Sequence, residues 1–262
     1  MNNLNDGVSI VTCTHVPTYM ENIFNNYGRQ LYNPKELIII LNNILLDKCE
    51  WIEKSRQYEN VKIFSLPEQV TVGSCMNFAV SQAQCEYIAN FDHDDYYGAR
   101  YLNDFMEVVP HVDAGLFGKK THYIYIEDGQ TLALLHPGKE DCYVEHMDGC
   151  TMFMRKSIFD KVKFIDHNIS DCQLSWDCTA NGIKIYSVNK YNFAYIRKND
   201  INLHTWKINN DELIKQHCQV IGRVEDYRSC VDISGAASTK KTMIITQRNR
   251  VLARFIHFPS SL

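Results

Sequence analysis

Strand-like and helix-like segments alternate through the first hundred residues, and this alternation constrains the fold more than any other feature of the sequence. Residues 37–41 form a wholly apolar run, and strands of this kind are usually covered on both faces, as in parallel sheets. The order is β-α-β-α-β-α-β, with strands predicted over residues 8–12, 36–41, 61–65 and 87–91 and helices over residues 19–31, 47–58 and 73–84. This order predicts an α/β fold with a mostly parallel sheet and right-handed crossovers.

Composition and charge exclude several classes of protein. The chain has 262 residues, a formal net charge of -4 and a pI near 6.2, so it lacks the basic character of a nucleic-acid-binding protein. No run approaches the ~18–20 apolar residues of a transmembrane segment, and the first residues do not resemble a signal peptide. None of the ten cysteines forms a Cys-x-x-Cys pair, which favours reduced thiols. We therefore expect a cytoplasmic protein, with peripheral association at a membrane or spore surface as an alternative.

Three carboxylates follow directly on the fourth predicted strand. The largely apolar run of residues 87–91 ends at Asp92, Asp94 and Asp95, with only His93 among them. Carboxylates this close repel each other and raise each other's pKa unless a cation is bound there. Hard divalent cations such as Mg²⁺ and Mn²⁺ bind carboxylate oxygens. The stretch therefore predicts a metal site, and the alternative is a solvated acidic turn, since turns favour aspartate.

Polar residues also follow the first and second predicted strands. Thr14 and His15 come after the first strand, and Asn42 comes after the second. Ligands of parallel α/β sheets bind outside the carboxyl ends of the strands. We therefore expect these three side chains to lie in one crevice with the acidic stretch.

Several segments, taken in order, resemble the GT-A glycosyltransferases of family 2 over about residues 8–206. The Asp-x-Asp pair that ends a strand in that family is similar to Asp92-His93-Asp94. The other matching segments are Cys13-Thr14-His15, Gly73-x-x-x-Asn77-x-Ala79, Gly149-x-x-x-Phe153-x-Arg155-Lys156, Ile169-Ser170-Asp171-Cys172-Gln173-Leu174 and residues 181–186. The resemblance implies a Rossmann-like, mostly parallel sheet flanked by helices, with a small antiparallel portion and a C-terminal helical extension.

The resemblance also implies an activity. A sugar would pass from a nucleotide-sugar donor, with UDP as the expected nucleotide, to a hydroxyl of a glycan, lipid-linked or protein acceptor, with inversion. Mn²⁺ or Mg²⁺ would be the cofactor, because a divalent metal stabilises the charge of the departing nucleoside diphosphate. By the same resemblance Asp94 would bind the metal, Asp92 the ribose or the metal's surroundings, and Asn77 would belong to the nucleotide site. Bacterial cell-surface or spore-coat polysaccharide is the acceptor setting that the resemblance suggests.

Acidic and aromatic residues further along the chain are candidates for the acceptor side. Asp171 is the candidate general base, because base and metal must come from separate segments in an inverting transfer. Asp171 is also a good helix start, and the two roles are compatible. Asp148 is a candidate for binding acceptor or donor-sugar hydroxyls, and Asp177 is a spare acid. Trp176 is interpreted as either an acceptor platform or a core residue.

Residues 195–206 resemble the late loop in which family members place a basic residue and a histidine over the diphosphate and the metal. Arg197 offers a planar fork of donors that fits phosphate, and His204 is a candidate metal ligand or a surface histidine. Two departures concern the nucleotide. Asn42 and Asn43 stand where many members have acidic residues, and His15 stands where an aromatic residue is common. Asparagine still donates and accepts, so it can bind a uracil-like base edge.

The chain is predicted to divide into a GT-A domain over residues 1–208 and a C-terminal extension over residues 209–262. The nucleotide half of the domain covers about residues 1–100 and the acceptor half about residues 101–208. Asp128-Gly129 predicts a hairpin turn in the acceptor half, and residues 209–224 are predicted to be helical. The chain from residue 239 onward carries five cations and no acid. Such a segment indicates contact with an anionic surface or a partner subunit in a homo-oligomer, or a terminal helix on its own domain.

Two other functions compete with glycosyl transfer. The first is a catalytically degenerate GT-A module that binds nucleotide or glycan as an assembly or surface-layer protein, and Asn42-Asn43 is the feature that favours it. The second is metal-dependent nucleotidyl transfer on a similar sheet. It lacks the glycine-rich phosphate loop expected near residue 15.

Overall fold

Thirteen strands and seven α-helices follow one another along residues 6–233, the part of the chain described by this structure, a computed structural model. The strands are β1 (Val8–Thr14), β2 (Lys35–Leu41), β3 (Val61–Ser65), β4 (Tyr87–Asn90), β5 (Tyr96–Tyr97), β6 (Leu116–Gly118), β7 (His122–Ile126), β8 (Thr131–Leu135), β9 (Cys142–Val144), β10 (Phe153–Arg155), β11 (Ile185–Ser187), β12 (Phe193–Arg197) and β13 (Cys218–Arg223). The helices are α1 (Met20–Arg29), α2 (Lys48–Ser55), α3 (Val72–Gln82), α4 (Tyr101–Met106), α5 (Asp171–Ala180), α6 (Asn210–His217) and α7 (Arg228–Val231).

Eight strands form the central sheet in the order β3-β2-β1-β4-β10-β6-β11-β9. The first four of these pair in parallel, as the alternation in the sequence predicts. β10 runs antiparallel to both β4 and β6, and β9 runs antiparallel to β11. The predicted α/β fold with a mostly parallel sheet and a small antiparallel portion is therefore confirmed.

Alternate residues of β2 bury their side chains in two different cores. Ile39 belongs to the cluster that holds Phe24 of α1 and Trp51 of α2, whereas Ile38 belongs to the cluster that holds Met76 of α3. Neither isoleucine has any exposed surface, and burying such a side chain contributes about 1.5–3 kcal/mol. Because successive side chains of a strand point to opposite faces, a strand covered on both faces has to be apolar throughout. This is why the apolar run identified the strand.

A smaller sheet of five strands, in the order β13-β8-β7-β12-β5, completes the fold. β7 and β8 form the predicted antiparallel hairpin, and Gly129 in its turn has a φ of 71°, a conformation that favours glycine. β5 begins directly after the acidic stretch and pairs with β12. The two sheets therefore meet at the acidic stretch.

The segment that follows α6 is a strand. The helix predicted over residues 209–224 is wrong beyond His217, where α6 ends and β13 begins. β13 pairs antiparallel with β8, and its Val220 and Ile221 are β-branched residues of the kind enriched in strands. Pairing with a strand that is distant in sequence overrides the local helical pattern.

Residues 228–233 fasten the end of the described chain to the second sheet. The hydroxyl of Tyr96 in β5 donates to Oδ2 of Asp232 at 2.7 Å, and the N–H of Asn192 donates to the carbonyl of Val231 at 2.9 Å. The basic segment for which a surface, subunit or domain contact is predicted lies outside the described residues. No helix within residues 6–233 is long and apolar enough to cross a membrane.

Candidate active site

The acidic stretch, Thr14, His15 and Asn42 lie along one edge of the central sheet. The backbone N–H of Asn42 donates to the carbonyl of Thr14 at 2.8 Å, which joins the ends of β2 and β1. On the other side of β1, the N–H of Phe91 donates to the carbonyl of Val11 at 3.0 Å. Because β1, β2 and β4 are parallel, the residues that follow them meet at the carboxyl edge.

Two carboxylates and one thiol form a compact cluster at this edge. One oxygen each of Asp92 and Asp95 and the sulfur of Cys150 lie within 4.8 Å of one another. Asp95 is buried, and its Oδ1 accepts from the N–H of Ile196 at 2.9 Å. Its Oδ2 is buried without a hydrogen-bond partner among the described residues. A buried carboxylate oxygen without a partner is costly, and a cation bound at the cluster would offset this cost.

The electrostatics of the cluster favour a hard cation. Asp92 faces the cleft, yet protein closely surrounds its carboxyl group, and this burial, followed by the charge of Asp94, raises the pKa of Asp92 to about 7. Burial and then the charges of Asp94 and Asp92 raise the pKa of Asp95 well above its usual value. Burial also raises the pKa of the Cys150 thiol, so the sulfur is protonated and ligates poorly. The remaining donors are carboxylate oxygens, which suit Mg²⁺ or Mn²⁺.

Neutral donors hold the backbone of the acidic stretch. The side chain of Asn26 on α1 donates to the carbonyl of Asp95 at 2.9 Å. The hydroxyl of Tyr97 accepts from the N–H of Asp92 and donates to the carbonyl of Cys150, both at 2.7 Å. These bonds orient the backbone and add no positive charge near the carboxylates.

Asp171 lies beside the acidic stretch although it comes from another part of the chain. It is the first residue of α5, so the predicted helix start is confirmed. Its Oδ2 accepts from the N–H of Gly149 at 3.1 Å. The carbonyl of Gly149 accepts from Nδ2 of Asn90 at 2.8 Å, and the same amide donates to Oδ1 of Asp92 at 3.1 Å. The structure thus brings Asp171 and Asp92 together from separate segments, as an inverting transfer requires.

Asp148 carries a charge on the Asp171 side of the site. Its Oδ1 lies 2.8 Å from Nζ of Lys120, and its Oδ2 lies 3.9 Å from Nδ1 of His122. Burial alone would raise the pKa of Asp148, but the neighbouring His122 and Lys120 outweigh burial and lower it. An ionised carboxylate can accept from one sugar hydroxyl, while the neighbouring ammonium group donates to another. This is compatible with the predicted role of Asp148 in holding sugar hydroxyls.

Thr14, His15 and Asn42, which were predicted for the nucleotide side, lie at the carboxyl edge of the sheet. The hydroxyl of Thr14 contacts the backbone of Val16 at 3.3 Å, and Nδ2 of Asn42 donates to the carbonyl of Pro67 at 2.7 Å. His15 is exposed, and its ring centroid lies 5.7 Å from that of His93. The structure places all three residues at this edge, and their contacts with a base stay a prediction.

Arg197 is not placed to bind phosphate. Its side chain has no exposed surface, and all three guanidinium nitrogens donate within the protein. The acceptors are the hydroxyl of Tyr195 and the carbonyl of Trp206 for Nη1, the carbonyl of Ile208 for Nη2, and Oδ1 of Asn210 for Nε. These bonds join β12 to the chain that leads into α6. The predicted phosphate contact is therefore wrong, because the donors that would form it are already used.

His204 is not placed to bind a metal. It is buried, and burial lowers its pKa, so the ring is neutral. Its Nε2 accepts from the N–H of Lys198 at 3.0 Å, and its Nδ1 lies 3.2 Å from the hydroxyl of Tyr195. Both ring nitrogens are engaged, so neither offers a lone pair to a cation. The prediction of a metal ligand is wrong, and so is the alternative of a surface histidine.

Two further predictions also change. The carboxamide of Asn77 donates to the carbonyl of Phe164 at 2.7 Å and accepts from its N–H at 3.1 Å, so Asn77 anchors a loop and does not face the nucleotide. Trp176 is 60% exposed on α5, which excludes the core interpretation. An exposed tryptophan on the helix that begins at Asp171 stays a candidate platform for an acceptor.

Lys198 is a cation of the site that the sequence argument missed. Its Nζ donates to the hydroxyl of Tyr19 and lies 4.5 Å from the centroid of that ring. Tyr19 in turn stacks on His93, with centroids 4.5 Å apart. Lys198 is the first residue beyond the end of β12, and the rule that ligands bind beyond strand ends would have selected it over Arg197.

A mostly parallel sheet flanked by helices, with an aspartate cluster at the end of a central strand, defines the class of GT-A glycosyltransferases. The family model described as Glycosyl transferase family 2 matches residues 9–163. The chain belongs to this family, and the resemblance found in its motifs is confirmed. A comparison with curated proteins found no match.

Solved structures of glycosyltransferases have the same fold. One is TarS 1–349 of S. aureus in complex with UDP-GlcNAc, with 15% identity and a TM-score of 0.59 over 91% of this chain and 65% of that one. Another is TarS 1–349 in complex with UDP, with 17% identity and a TM-score of 0.56 over 72% and 60%. GalNAc-T7 with UDP, GalNAc and Mn²⁺ has 12% identity and a TM-score of 0.56 over 76% and 44%. The chain spans less than two thirds of the length of these three proteins.

Proposed function

We propose that the chain transfers a sugar from a UDP-sugar to a hydroxyl of an acceptor, with inversion and with Mn²⁺ or Mg²⁺ bound. One observation carries this proposal. The carboxylates that follow β4 include a buried oxygen of Asp95 without a partner among the described residues, and Asp92 lies one hydrogen-bonded bridge away from Asp171. A cation site beside a separate carboxylate is what an inverting transfer to a hydroxyl needs.

The donor side uses the acidic stretch and Lys198. Asp94 holds the cation, Asp92 holds the ribose or lies in the metal's surroundings, and Asp95 orients both. When bound, the cation neutralises negative charge on the departing diphosphate. The ammonium group of Lys198, held at the cleft by Tyr19, donates to a diphosphate oxygen. UDP is the nucleotide bound in the structures of TarS and GalNAc-T7, which supports UDP here.

The acceptor side uses α5 and the residues before it. The carboxylate of Asp171 takes the proton of the attacking hydroxyl, while the N–H of Gly149 holds its other oxygen in place. Asp148 and Lys120 orient hydroxyls of the transferred or accepting sugar. The exposed ring of Trp176 offers an apolar face to a sugar, which favours a glycan acceptor. Residues 1–208 form the catalytic domain in this proposal, and residues 209–233 brace it through β13 and α7.

Calorimetry with UDP and Mn²⁺ tests the donor side. Wild type is expected to bind UDP only in the presence of the metal, and Asp94→Ala to lose that binding. Asp113→Asn is the matched control, because the side chain of Asp113 is 88% exposed and pairs with Lys184. Asp113 lies before the first residue of β6, at the edge of the sheet opposite to the acidic stretch. Absence of UDP binding in wild type, or unchanged binding in Asp94→Ala, refutes the proposal.

Release of UDP from UDP-sugars tests the chemistry. Wild type with Mn²⁺ is expected to release UDP from at least one sugar nucleotide, starting with UDP-GlcNAc, and Asp171→Asn to reduce the rate by about 10²-fold or more. Binding of UDP without release from any donor would favour the degenerate GT-A module instead. The side chain of Asn42, which is turned toward Pro67, is the observation in favour of that second function.

A further inference from the structure

We propose that Asn90 and Gly149 form a bridge that fixes the position of Asp171 relative to Asp92. This bridge, the Asn90–Gly149 bridge, makes both residues positioning residues for the base. The inference rests on the proposed function, because it assumes that Asp171 accepts the proton and that Asp92 belongs to the donor site.

The contacts run without interruption from one carboxylate to the other. Nδ2 of Asn90, the last residue of β4, donates to Oδ1 of Asp92 at 3.1 Å and to the carbonyl of Gly149 at 2.8 Å. The N–H of Gly149 then donates to Oδ2 of Asp171 at 3.1 Å. The side-chain amide of Asn90 and the backbone of Gly149 thus connect Asp92 to Asp171.

The backbone around Gly149 is itself fixed. The N–H of Asn90 donates to the carbonyl of Met152 at 2.9 Å, and the N–H of Thr151 donates to the carbonyl of Asp148 at 3.0 Å. The tight turn at residues 149–151 is therefore attached to β4, and β4 lies in the middle of the central sheet. The bridge transmits the rigidity of the sheet to the base.

Space, rather than conformational freedom, explains the glycine. A Cβ at residue 149 would lie 3.0 Å from Cβ of Asp171 and 3.1 Å from its Oδ2. Contacts this short force one of the two groups to move by a few tenths of an ångström. Asp171 begins a helix and lies at the cleft, so the aspartate side chain is the group that gives way.

Such a displacement affects the base more than nucleotide binding. Misplacing a reacting group by about 1 Å can cost about 10²-fold in rate, so a shift of a few tenths of an ångström is expected to cost about 5- to 20-fold. The contacts of Asp92 and Lys198 with UDP do not pass through Gly149. The loss should therefore appear in kcat, with the KM for the donor and the affinity for UDP changed less than twofold.

A double-mutant cycle tests the bridge. UDP release from the UDP-sugar that wild type hydrolyses is measured with Mn²⁺ for wild type, Gly149→Ala, Asp171→Asn and the double variant. Gly149→Ala is expected to lower kcat about 5- to 20-fold in the wild-type background. In the Asp171→Asn background it is expected to lower the residual rate by less than twofold, because a residue that acts through the base cannot harm a base already removed.

Gly28→Ala is the matched control for added bulk. Its Cβ would lie 2.8 Å from the ring of Tyr58, which is tighter than the 3.0 Å contact at residue 149, but on α1 and away from Asp171. It is expected to keep the wild-type kcat. Asn90→Ala is a second variant that removes both side-chain bonds of the bridge without adding an atom, and it is expected to lower kcat and to weaken UDP binding.

Each result either supports or overturns the inference. An unchanged kcat in Gly149→Ala, or an equal loss in both backgrounds, overturns it while leaving the proposed function intact. If Gly149→Ala fails to fold, as judged by its thermal unfolding, an unchanged kcat in Asn90→Ala overturns the inference. Wild type that neither binds UDP with Mn²⁺ nor releases it removes the proposed function, and the inference falls with it for that separate reason.

Discussion

Replacing Lys198 with methionine tests whether Lys198, the residue that the structure points to, or Arg197, the residue that the sequence suggested, contacts the phosphates. Lys198 follows β12, and its Nζ is held over the ring of Tyr19 at 4.5 Å from the centroid. Burial disfavours its charge, but the bond to Tyr19 and the charges of Asp94 and Glu127 together outweigh burial and raise the pKa of Lys198, so the ammonium is charged at neutral pH. Methionine retains the apolar stem against the ring and removes only the charge and the donors.

The expected loss follows from the kind of bond removed. A hydrogen bond to a charged group contributes about 1.5–3 kcal/mol, which corresponds to an affinity loss of about 10- to 150-fold. Lys198 is partly open to solvent, so the lower half of this range, about 10- to 30-fold, is expected. Calorimetry of UDP with Mn²⁺ measures it. Lys207→Met is the control, because Lys207 lies on the same loop and donates to the carbonyls of Ile201 and Asn202.

Arg197→Met is expected to behave differently. The side chain is fully buried, and its removal leaves four acceptors in partly buried positions without their donors, which costs about 3 kcal/mol or more of unfolding free energy. Urea unfolding measures this cost, and the folded protein should bind UDP within about threefold of wild type. UDP affinity that is unchanged in Lys198→Met, or reduced tenfold in folded Arg197→Met, would refute the assignment of the two residues.

Three more predictions concern stability and the two sides of the site. Glu36 is buried, and burial by itself raises its pKa, but its bonds to Lys62 and to neighbouring donors outweigh burial and lower the pKa. The ionised Glu36 therefore stabilises the folded protein above about pH 4.3, and this stabilisation is lost as the pH falls through the lower pKa of the folded state. Urea unfolding should show a steeper loss below pH 4 for wild type than for Glu36→Gln. Asp92→Asn should raise the unfolding free energy of the metal-free protein by about 0.5–2 kcal/mol, because it removes repulsion, while UDP binding falls; lower stability would contradict this. Trp176→Ala should change the unfolding free energy by about 0.5 kcal/mol, which corresponds to less than 2 °C in melting temperature. It should lower the rate of transfer to a glycan, and the rate of UDP release to water is the control.

Local patterns were sufficient for most of the fold. Strands β1 to β4 and helices α1 to α3 were predictable because burial on one or two faces imposes a period on neighbouring side chains. The two-residue strand β5 was not predicted. Residues 209–224 were predicted as one helix because their apolar residues fit that period as well. β13 is a strand because it pairs with β8, and the local sequence around residue 220 does not indicate this pairing.

The site divides in the same way. Asp92, Asp94 and Asp95 were recognisable because they are adjacent in sequence and follow an apolar strand. The roles of Arg197 and His204 were not, because a basic residue near a site is equally able to bind a ligand or to join two loops. Which of these it does depends on groups such as the carbonyls of Trp206 and Ile208, whose positions follow from the tertiary fold.

The burial of Asp95 favours the metal-site interpretation of the acidic stretch over that of a solvated turn. In a solvated turn the carboxylates would face water, but Asp95 is 1% exposed and one of its oxygens has no partner among the described residues. The donors that surround it, from Asn26 and Tyr97, are neutral and serve the backbone. A cation bound at the cluster would offset this cost. We therefore propose that the same three residues that repel one another in the free protein indicate its chemistry.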